Sequence, residues 1–303
     1  MTGLASADWR SLLFVPVTQQ RFVDRAHTRG SDAVQLDLED SVPVAEKTEA
    51  RRRLPGAVER LTRYGADVVV RINRPWRLAM ADLAAAVRPG VRALALPKVS
   101  SAEQVRVVDE VVGEHERDAG LAVGAIRLLA MVETAEGLFA ARAIAAACPR
   151  LLGVTLGGED FATSVGTTPA PDLLAAPAQA VVIAARAAGV APYGLAGTVA
   201  GYRDESAFGE LARRSRRLGF VGASAIHPRQ VPILNAAFSP GADEVDAARR
   251  LVEAYAEAAG RGVGAIEYEG SMVDEPVAAR ARALLERHES LSKRAGAEEV
   301  HGR

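Results

Sequence analysis

The chain has 303 residues, 49% hydrophobic and 25% charged, which is enough apolar material for a large core of roughly one barrel-sized domain plus an extension. With 37 basic against 38 acidic residues, it lacks the broad positive field that would attract nucleic acid or an anionic membrane surface, so the expected partner is a small molecule or another protein. The start carries no basic-then-apolar leader and no run approaches the roughly 18 apolar residues of a membrane span, so a cytoplasmic protein is expected.

Short β-rich runs alternate with longer alanine- and arginine-rich stretches of helical period. A strand at 11–15 leads to a helix at 18–29, and a strand at 33–37 to a helix at 44–64. Strands at 68–72 and 93–96 precede a helix at 101–116, which Ser101 and Gln104 would open in the manner of a capping box. A strand at 127–132 precedes a helix at 137–147, and a strand at 152–156 precedes a helix at 173–188. The last two strands, 191–195 and 222–226, flank a helix at 206–218, with Gly189 and Gly219 at helix-ending positions. Parallel strands with helical crossovers, eight of them, predict an α/β TIM (β/α)8 barrel over 1–235. Beyond it, a helix at 242–259, a glycine-punctuated segment at 260–270 and a helix at 275–289 form a C-terminal helical extension and lid over 236–290. Residues 291–303 are polar, lack an apolar stripe and read as a disordered tail. The single cysteine, Cys148, falls on an alanine-rich helix and reads as a buried, inert thiol.

In such barrels the active site lies at the C-terminal ends of the strands. That filter selects Asp37, Glu39, Asp40, Arg71, Asn73, Lys98, Glu133, Glu159, Asp160 and His227. Acidic residues dominate, and crowded like charges require a cation or basic partners. Two carboxylates with waters and a bidentate substrate would suit Mg²⁺, with Mn²⁺ as the other candidate, and no cysteine or histidine cluster has zinc spacing. Glu133 and Asp160 could instead cap the following helices. The fork of Arg71 matches a substrate carboxylate or could pair with Asp37 or Asp40; Lys98 has the same two options, and His227, before Pro228, fits a loop role.

Eight segments then follow one another in an order that resembles citrate lyase beta-subunit-like proteins of the HpcH/HpaI aldolase/citrate lyase superfamily. They are Arg10-Ser11-Leu12-Leu13-Phe14-Val15-Pro16, Asp37-Leu38-Glu39-Asp40-Ser41-Val42, Arg71-Ile72-Asn73, Leu96-Pro97-Lys98-Val99, Val132-Glu133-Thr134-Ala135-Glu136-Gly137, Gly157-Gly158-Glu159-Asp160-Phe161, Ala225-Ile226-His227-Pro228-Arg229-Gln230 and Met272-Val273-Asp274. The resemblance implies a Mg²⁺-dependent carbon–carbon lyase or aldolase that cleaves or forms a short 3-hydroxyacyl-CoA thioester of the citramalyl-CoA or malyl-CoA type. It implies Glu133 and Asp160 as metal ligands, Arg71 as the clamp on a 2-oxo acid, and Arg10, Glu133 and Gly158 as substrate contacts. Glu39 and Asp40 would hold metal-bound waters and Arg71, and Asp274 would transfer a proton from a neighbouring subunit's lid. A homotrimer or hexamer is implied too. Relatives often carry a Gly-Lys pair before the Ile-His-Pro motif, where this chain has Gly222-Ala223-Ser224, so an acyl-carrier thioester within a citrate lyase complex and a CoA-independent 2-oxo acid aldolase stay open.

Overall fold

A computed structural model of the protein describes residues 8–301, with side chains to residue 294. Eight strands run β1 (Ser11–Pro16), β2 (Ala33–Asp37), β3 (Asp67–Arg71), β4 (Val91–Leu96), β5 (Arg127–Val132), β6 (Leu151–Leu156), β7 (Ala191–Gly194) and β8 (Ala223–Ala225). Every neighbouring pair is parallel, and β8 pairs with β1 through Ser11 opposite Ala223. Tyr193 bridges Gly222, so β7 meets the chain entering β8 and the sheet closes into a barrel. Around it lie α1 (Gln20–Ala26), α2 (Lys47–Arg63), α3 (Trp76–Ala86), α4 (Ala102–Asp118), α5 (Ala135–Phe139), α6 (Ala141–Ala145), α7 (Gly158–Ser164), α8 (Pro171–Ala187), α9 (Glu205–Leu218) and α10 (Gln230–Phe238).

Period-two alternation sorts the strand side chains into two cores. Leu12, Ala33, Val69, Ala93, Ala95 and Leu129 pack inside the barrel with Trp9 and Tyr193, while Leu13, Val34, Leu36, Val70, Leu94 and Val154 pack outward against the helices.

The sequence expectations miss three helices. α3, α7 and α10 are short, and α3 and α10 pack an apolar face whose pattern is diluted by alanine. The helix expected at 137–147 divides at Ala140 into α5 and α6, and Cys148 lies past the end of α6 and is half-buried. Ser101 does cap α4, accepting from the Gln104 N–H at 3.4 Å, but the Gln104 side chain turns to the Ser100 N–H at 3.0 Å. Gly189 and Gly219 both adopt left-handed φ, 72° and 109°.

The chain divides into two compact units after Phe238. The second contains α11 (Ala242–Gly260), a hairpin of β9 (Ala265–Tyr268) and β10 (Ser271–Asp274), and α12 (Glu275–His301). Tyr255, Val273 and Ala278 form its buried core. The glycine-punctuated stretch thus carries a strand, and the helix runs on to His301 in place of the tail expected from residue 291. Among the described residues no helix is long and apolar enough to cross a membrane.

Candidate active site

The C-terminal ends of the strands surround a cavity of about 450 Å³ lined by Phe14, Asp37, Arg71, Glu133, Gly158 and Asp160 among others. Its acidic side begins with Asp37, the last residue of β2 and inward-facing by register with Arg71 of β3. Arg71 makes a two-point fork on Asp37, Nε to Oδ1 at 2.7 Å and Nη2 to Oδ2 at 2.8 Å, and stacks over the Phe14 ring at 4.6 Å. Asp37 also accepts from the Glu39 N–H and from Ser41, which folds the β2 loop back over the rim. Burial alone would raise the Asp37 carboxyl, but the hydrogen bonds and charge of Arg71 bring it below its ordinary value.

The remaining arm of Arg71, Nη1, lies 2.9 Å from Glu39 Oε2 and 3.6 Å from Asp40 Oδ2. The approach to Glu39 is close enough for an ion pair but not aligned as a hydrogen bond, and that buried oxygen accepts none. Burial raises the Glu39 carboxyl, and the charges of Arg71 and Lys98 offset only part of this. Lys98 donates to Glu39 Oε1 at 2.8 Å, stands 3.4 Å from Asp40 and 3.9 Å from Asp160. Arg71 and Lys98 are thus both paired with the acidic loop, and Arg71 also lines the cavity.

Glu133 follows β5 and is 2% exposed. Its Oε2 accepts the Lys98 backbone N–H at 2.8 Å. On its other side it is pressed against Gly157, where an added Cβ would stand 2.4 Å from Oε1. The helix cap after β5 is Thr134, whose hydroxyl accepts from the Gly137 N–H at 3.0 Å, so Glu133 is not a cap. Burial pushes its carboxyl up to about 7; the Lys98 N–H pulls down, while Asp160 and Glu39 push further up. Asp160 sits in the first turn of α7, without a side-chain capping bond, and its side chain is 41% exposed.

Asp37, Glu39, Asp40, Glu133 and Asp160 thus face the cations Arg71, Lys98 and Lys47, the last donating to the carbonyls of Leu38 and Glu39. The negative excess fits a divalent cation held by Glu133 and Asp160. Among the described residues no group of three or more His, Cys, Asp or Glu side chains is poised to hold a metal ion. Two protein carboxylates plus water and substrate oxygens is the ligand set of a hard ion that keeps much of its water shell.

The remaining expected contacts separate. Gly158 lines the cavity, and a Cβ there would crowd Leu174 and the Gly197 carbonyl. Arg10 does not reach the site. It precedes β1, at the N-terminal rim, and is committed to Asp32 by Nε at 2.8 Å, Nη2 at 2.7 Å and its backbone N–H at 2.6 Å. The expectation failed because Arg10 precedes β1 and stands six residues, the full length of the strand, from Pro16 at its C-terminal end. His227 stacks on Tyr202 at 4.7 Å and its Nδ1 accepts the Arg229 N–H, a loop role. Asp274 ends β10 in the second unit, where its Oδ1 accepts the Val277 N–H at 3.3 Å.

Sequence reasoning overlooked Asp82 on α3, which anchors Asn73 by accepting from both its N–H and Nδ2. It also overlooked a second cavity, about 550 Å³, lined by Phe22, Arg25, Arg29, His227 and Arg229 and sharing Phe14, Pro16 and Ile226 with the first. The i, i+4 spacing of Arg25 and Arg29 was a usable signal for a basic face there.

A (β/α)8 barrel with a buried carboxylate and a second acid at its C-terminal rim is an arrangement that can serve an enzyme working through a hard cation. The model of the HpcH/HpaI aldolase/citrate lyase family matches residues 10–228, and the chain belongs to this family of lyases. It is 37% identical over 286 residues to the citrate lyase subunit beta of Escherichia coli (strain K12), covering 92% of this chain and 93% of that one. It is 34% identical over 289 residues to the (3S)-malyl-CoA thioesterase of Cereibacter sphaeroides (strain KD131), covering 94% and 96%. The structure of the protein CitE from Mycobacterium tuberculosis in complex with magnesium, acetoacetate and coenzyme A superposes with a TM-score of 0.72 at 30% identity, covering 92% of this chain and 97% of that one.

Proposed function

We propose that the protein is a Mg²⁺-dependent carbon–carbon lyase that cleaves or forms a short 3-hydroxyacyl-CoA thioester, yielding an acyl-CoA and a 2-oxo acid. The observation that carries this reading is Glu133: a nearly inaccessible carboxylate, not a helix cap, pinned by a peptide N–H and by the missing side chain of Gly157, with Asp160 close enough to raise its proton affinity. Glu133 and Asp160 would hold the cation, which supplies Lewis-acid polarisation of the oxygen that becomes, or was, the 2-oxo group. Magnesium and coenzyme A bound to the similar protein CitE from Mycobacterium tuberculosis support that choice of cation and thioester.

In the cleavage direction, the bond between the hydroxyl-bearing carbon and the thioester α-carbon breaks. The hydroxyl gives its proton to a base at the rim, a carboxylate or a water, and its oxygen becomes a carbonyl, while the electrons of the broken bond pass to the α-carbon, which takes a proton from a positioned acid. Arg71, fixed by Asp37, supplies positive charge beside the acid's carboxylate, and its fork on Asp37 keeps it from swinging into the cavity. Glu39 and Asp40 orient Arg71, and Phe14 and Met131 give the cavity an apolar wall that limits water. We assign the acid at the α-carbon to Asp274 of a neighbouring subunit, on the resemblance of its Met-Val-Asp segment. The neighbouring cavity, with Arg25, Arg29 and Arg229 on its wall, offers the positive charge that the Gly222-Ala223-Ser224 segment lacks for a phosphate-bearing arm.

The relatedness to citrate lyase beta subunits favours one second reading, a subunit that acts on an acyl-carrier thioester inside a complex. Purified protein alone, given citramalyl-CoA or malyl-CoA and Mg²⁺, is expected to release a 2-oxo acid, to stop when EDTA is added, and to slow with Asp274→Ala while cation binding is kept. No turnover without partner proteins would favour the second reading, and turnover indifferent to EDTA would overturn the metal assignment.

A further inference from the structure

Besides Asp37, which the Arg71 fork occupies, four carboxylates crowd one side of the barrel mouth, yet they are not equivalent. Glu39 has a cation on each oxygen, Lys98 Nζ at 2.8 Å on Oε1 and Arg71 Nη1 at 2.9 Å on Oε2. Asp40 faces the same two cations at 3.4 and 3.6 Å. Glu133, in contrast, receives only a peptide N–H on Oε2, and Asp160 meets Lys98 only at 3.9 Å. The residue that divides these acids into two classes is Lys98. Its main-chain N–H holds Glu133, and its ammonium hydrogen-bonds Glu39 at 2.8 Å and lies nearer Asp40, at 3.4 Å, than Asp160, at 3.9 Å.

Lys98 does this from φ 50°, the left-handed region that a residue with a Cβ rarely adopts. It follows Pro97 at the end of β4, between β3 and β5, so its backbone is adjacent to Glu133 while its side chain reaches across to the β2 loop. Arg71 cannot do the same work alone, because two of its three nitrogens are taken by Asp37.

We propose that Lys98 is a positioning residue that keeps Glu39 and Asp40 out of the coordination sphere of the cation. Glu133 and Asp160 then ligate that cation alone, and the positions toward the cavity stay open for the oxygens of a 2-oxo acid. The inference rests on the metal reading above. Its physical basis is competition: a hard divalent ion placed among four carboxylates will collect as many as can reach it, and each extra one displaces a water or a substrate oxygen. A fixed ammonium removes two of them from the competition. It also repels the ion, so openness is gained at the expense of affinity.

The prediction is a change of opposite sign in two measurements, which a merely structural lysine would not give. Chelator-stripped full-length protein is titrated with Mn²⁺ alone, followed by electron paramagnetic resonance, and the Mn²⁺-loaded protein is then titrated with pyruvate, followed by water-proton relaxation. Lys98→Met is expected to bind Mn²⁺ about tenfold more tightly, from the loss of one nearby positive charge, and to bind pyruvate about tenfold more weakly. Lys98→Gly keeps the peptide N–H and suits φ 50°, so it should show the same pair of changes in a protein without local strain; Lys98→Arg should return both toward wild type. Weaker or unchanged Mn²⁺ binding in Lys98→Gly, or tighter Mn²⁺ binding with pyruvate affinity intact, would overturn the proposal while leaving the metal site standing. Wild-type protein that takes up no Mn²⁺ would instead overturn the metal reading itself, and this inference with it.

Discussion

Replacing Glu133 by glutamine changes one charge and almost no volume, and its effect on stability can be worked out from the environment of that side chain. The carboxyl is 2% exposed and is pushed from 4.5 up to about 7, chiefly by burial. A folded-state value above the unfolded one means that the folded protein keeps this proton after the unfolded chain has lost it. The carboxyl is protonated in both states below about pH 4.5, costs nothing there, and destabilises the metal-free fold progressively as pH rises through about 7. A shift of that size corresponds to about 3 kcal/mol at slightly alkaline pH. Glutamine can still accept the Lys98 N–H but carries no charge to desolvate, so it should lack this slope. Urea denaturation of both proteins in EDTA, between about pH 4 and pH 8, should give a stability difference near zero at the acid end that grows toward about 3 kcal/mol in favour of the Glu133→Gln protein. Titrating groups that do not interact with Glu133 are common to both proteins and cancel in the difference, whereas Asp160 and Glu39, which push Glu133 up, are themselves relieved by the substitution and add to the same slope. Adding Mg²⁺ should stabilise the wild type and leave the Glu133→Gln protein unmoved. A difference independent of pH would refute the idea that Glu133 is an uncompensated buried acid.

Two further outcomes test the reading of individual residues. Arg10→Ala removes two side-chain hydrogen bonds from Asp32, whose side chain is 1% exposed, and should lower stability by about 2 kcal/mol while leaving Mn²⁺ affinity unchanged; weakened Mn²⁺ binding would return Arg10 to the site. Gln35, 1% exposed and pointing into the barrel below Asp37, has no protein partner for either amide atom, so Gln35→Met should raise the urea midpoint, corresponding to about 1 kcal/mol, and a loss of stability would show that the amide is satisfied in solution.

Much of the fold was legible because its signals are local. The runs at β2 and β5 alternate with amphipathic stretches such as α4 and α9, and period and spacing within one segment suffice to place them. The short helices α3, α7 and α10 were not legible, since seven to eleven residues carry too few turns for a period and are held by what they pack against. Arg10 shows the limit from the other side: its motif neighbourhood was informative, but which end of a strand it occupies, and hence which rim, depended on where β1 begins.

The sequence alone determined which acids lie at strand ends, since parallel strands with helical crossovers put all those ends on one rim. It could name Asp37, Glu39, Asp40, Glu133 and Asp160 together, and Arg71 and Lys98 as the bases among them. Only the tertiary structure decided which acid is paired with a basic side chain and which is not. That division is made by contacts between residues 34 to 59 positions apart, Arg71 on Asp37 and Lys98 on both Glu39 and Glu133. A carboxylate's charge and proton affinity are set by the few ångströms around it, and those ångströms are filled by other strands.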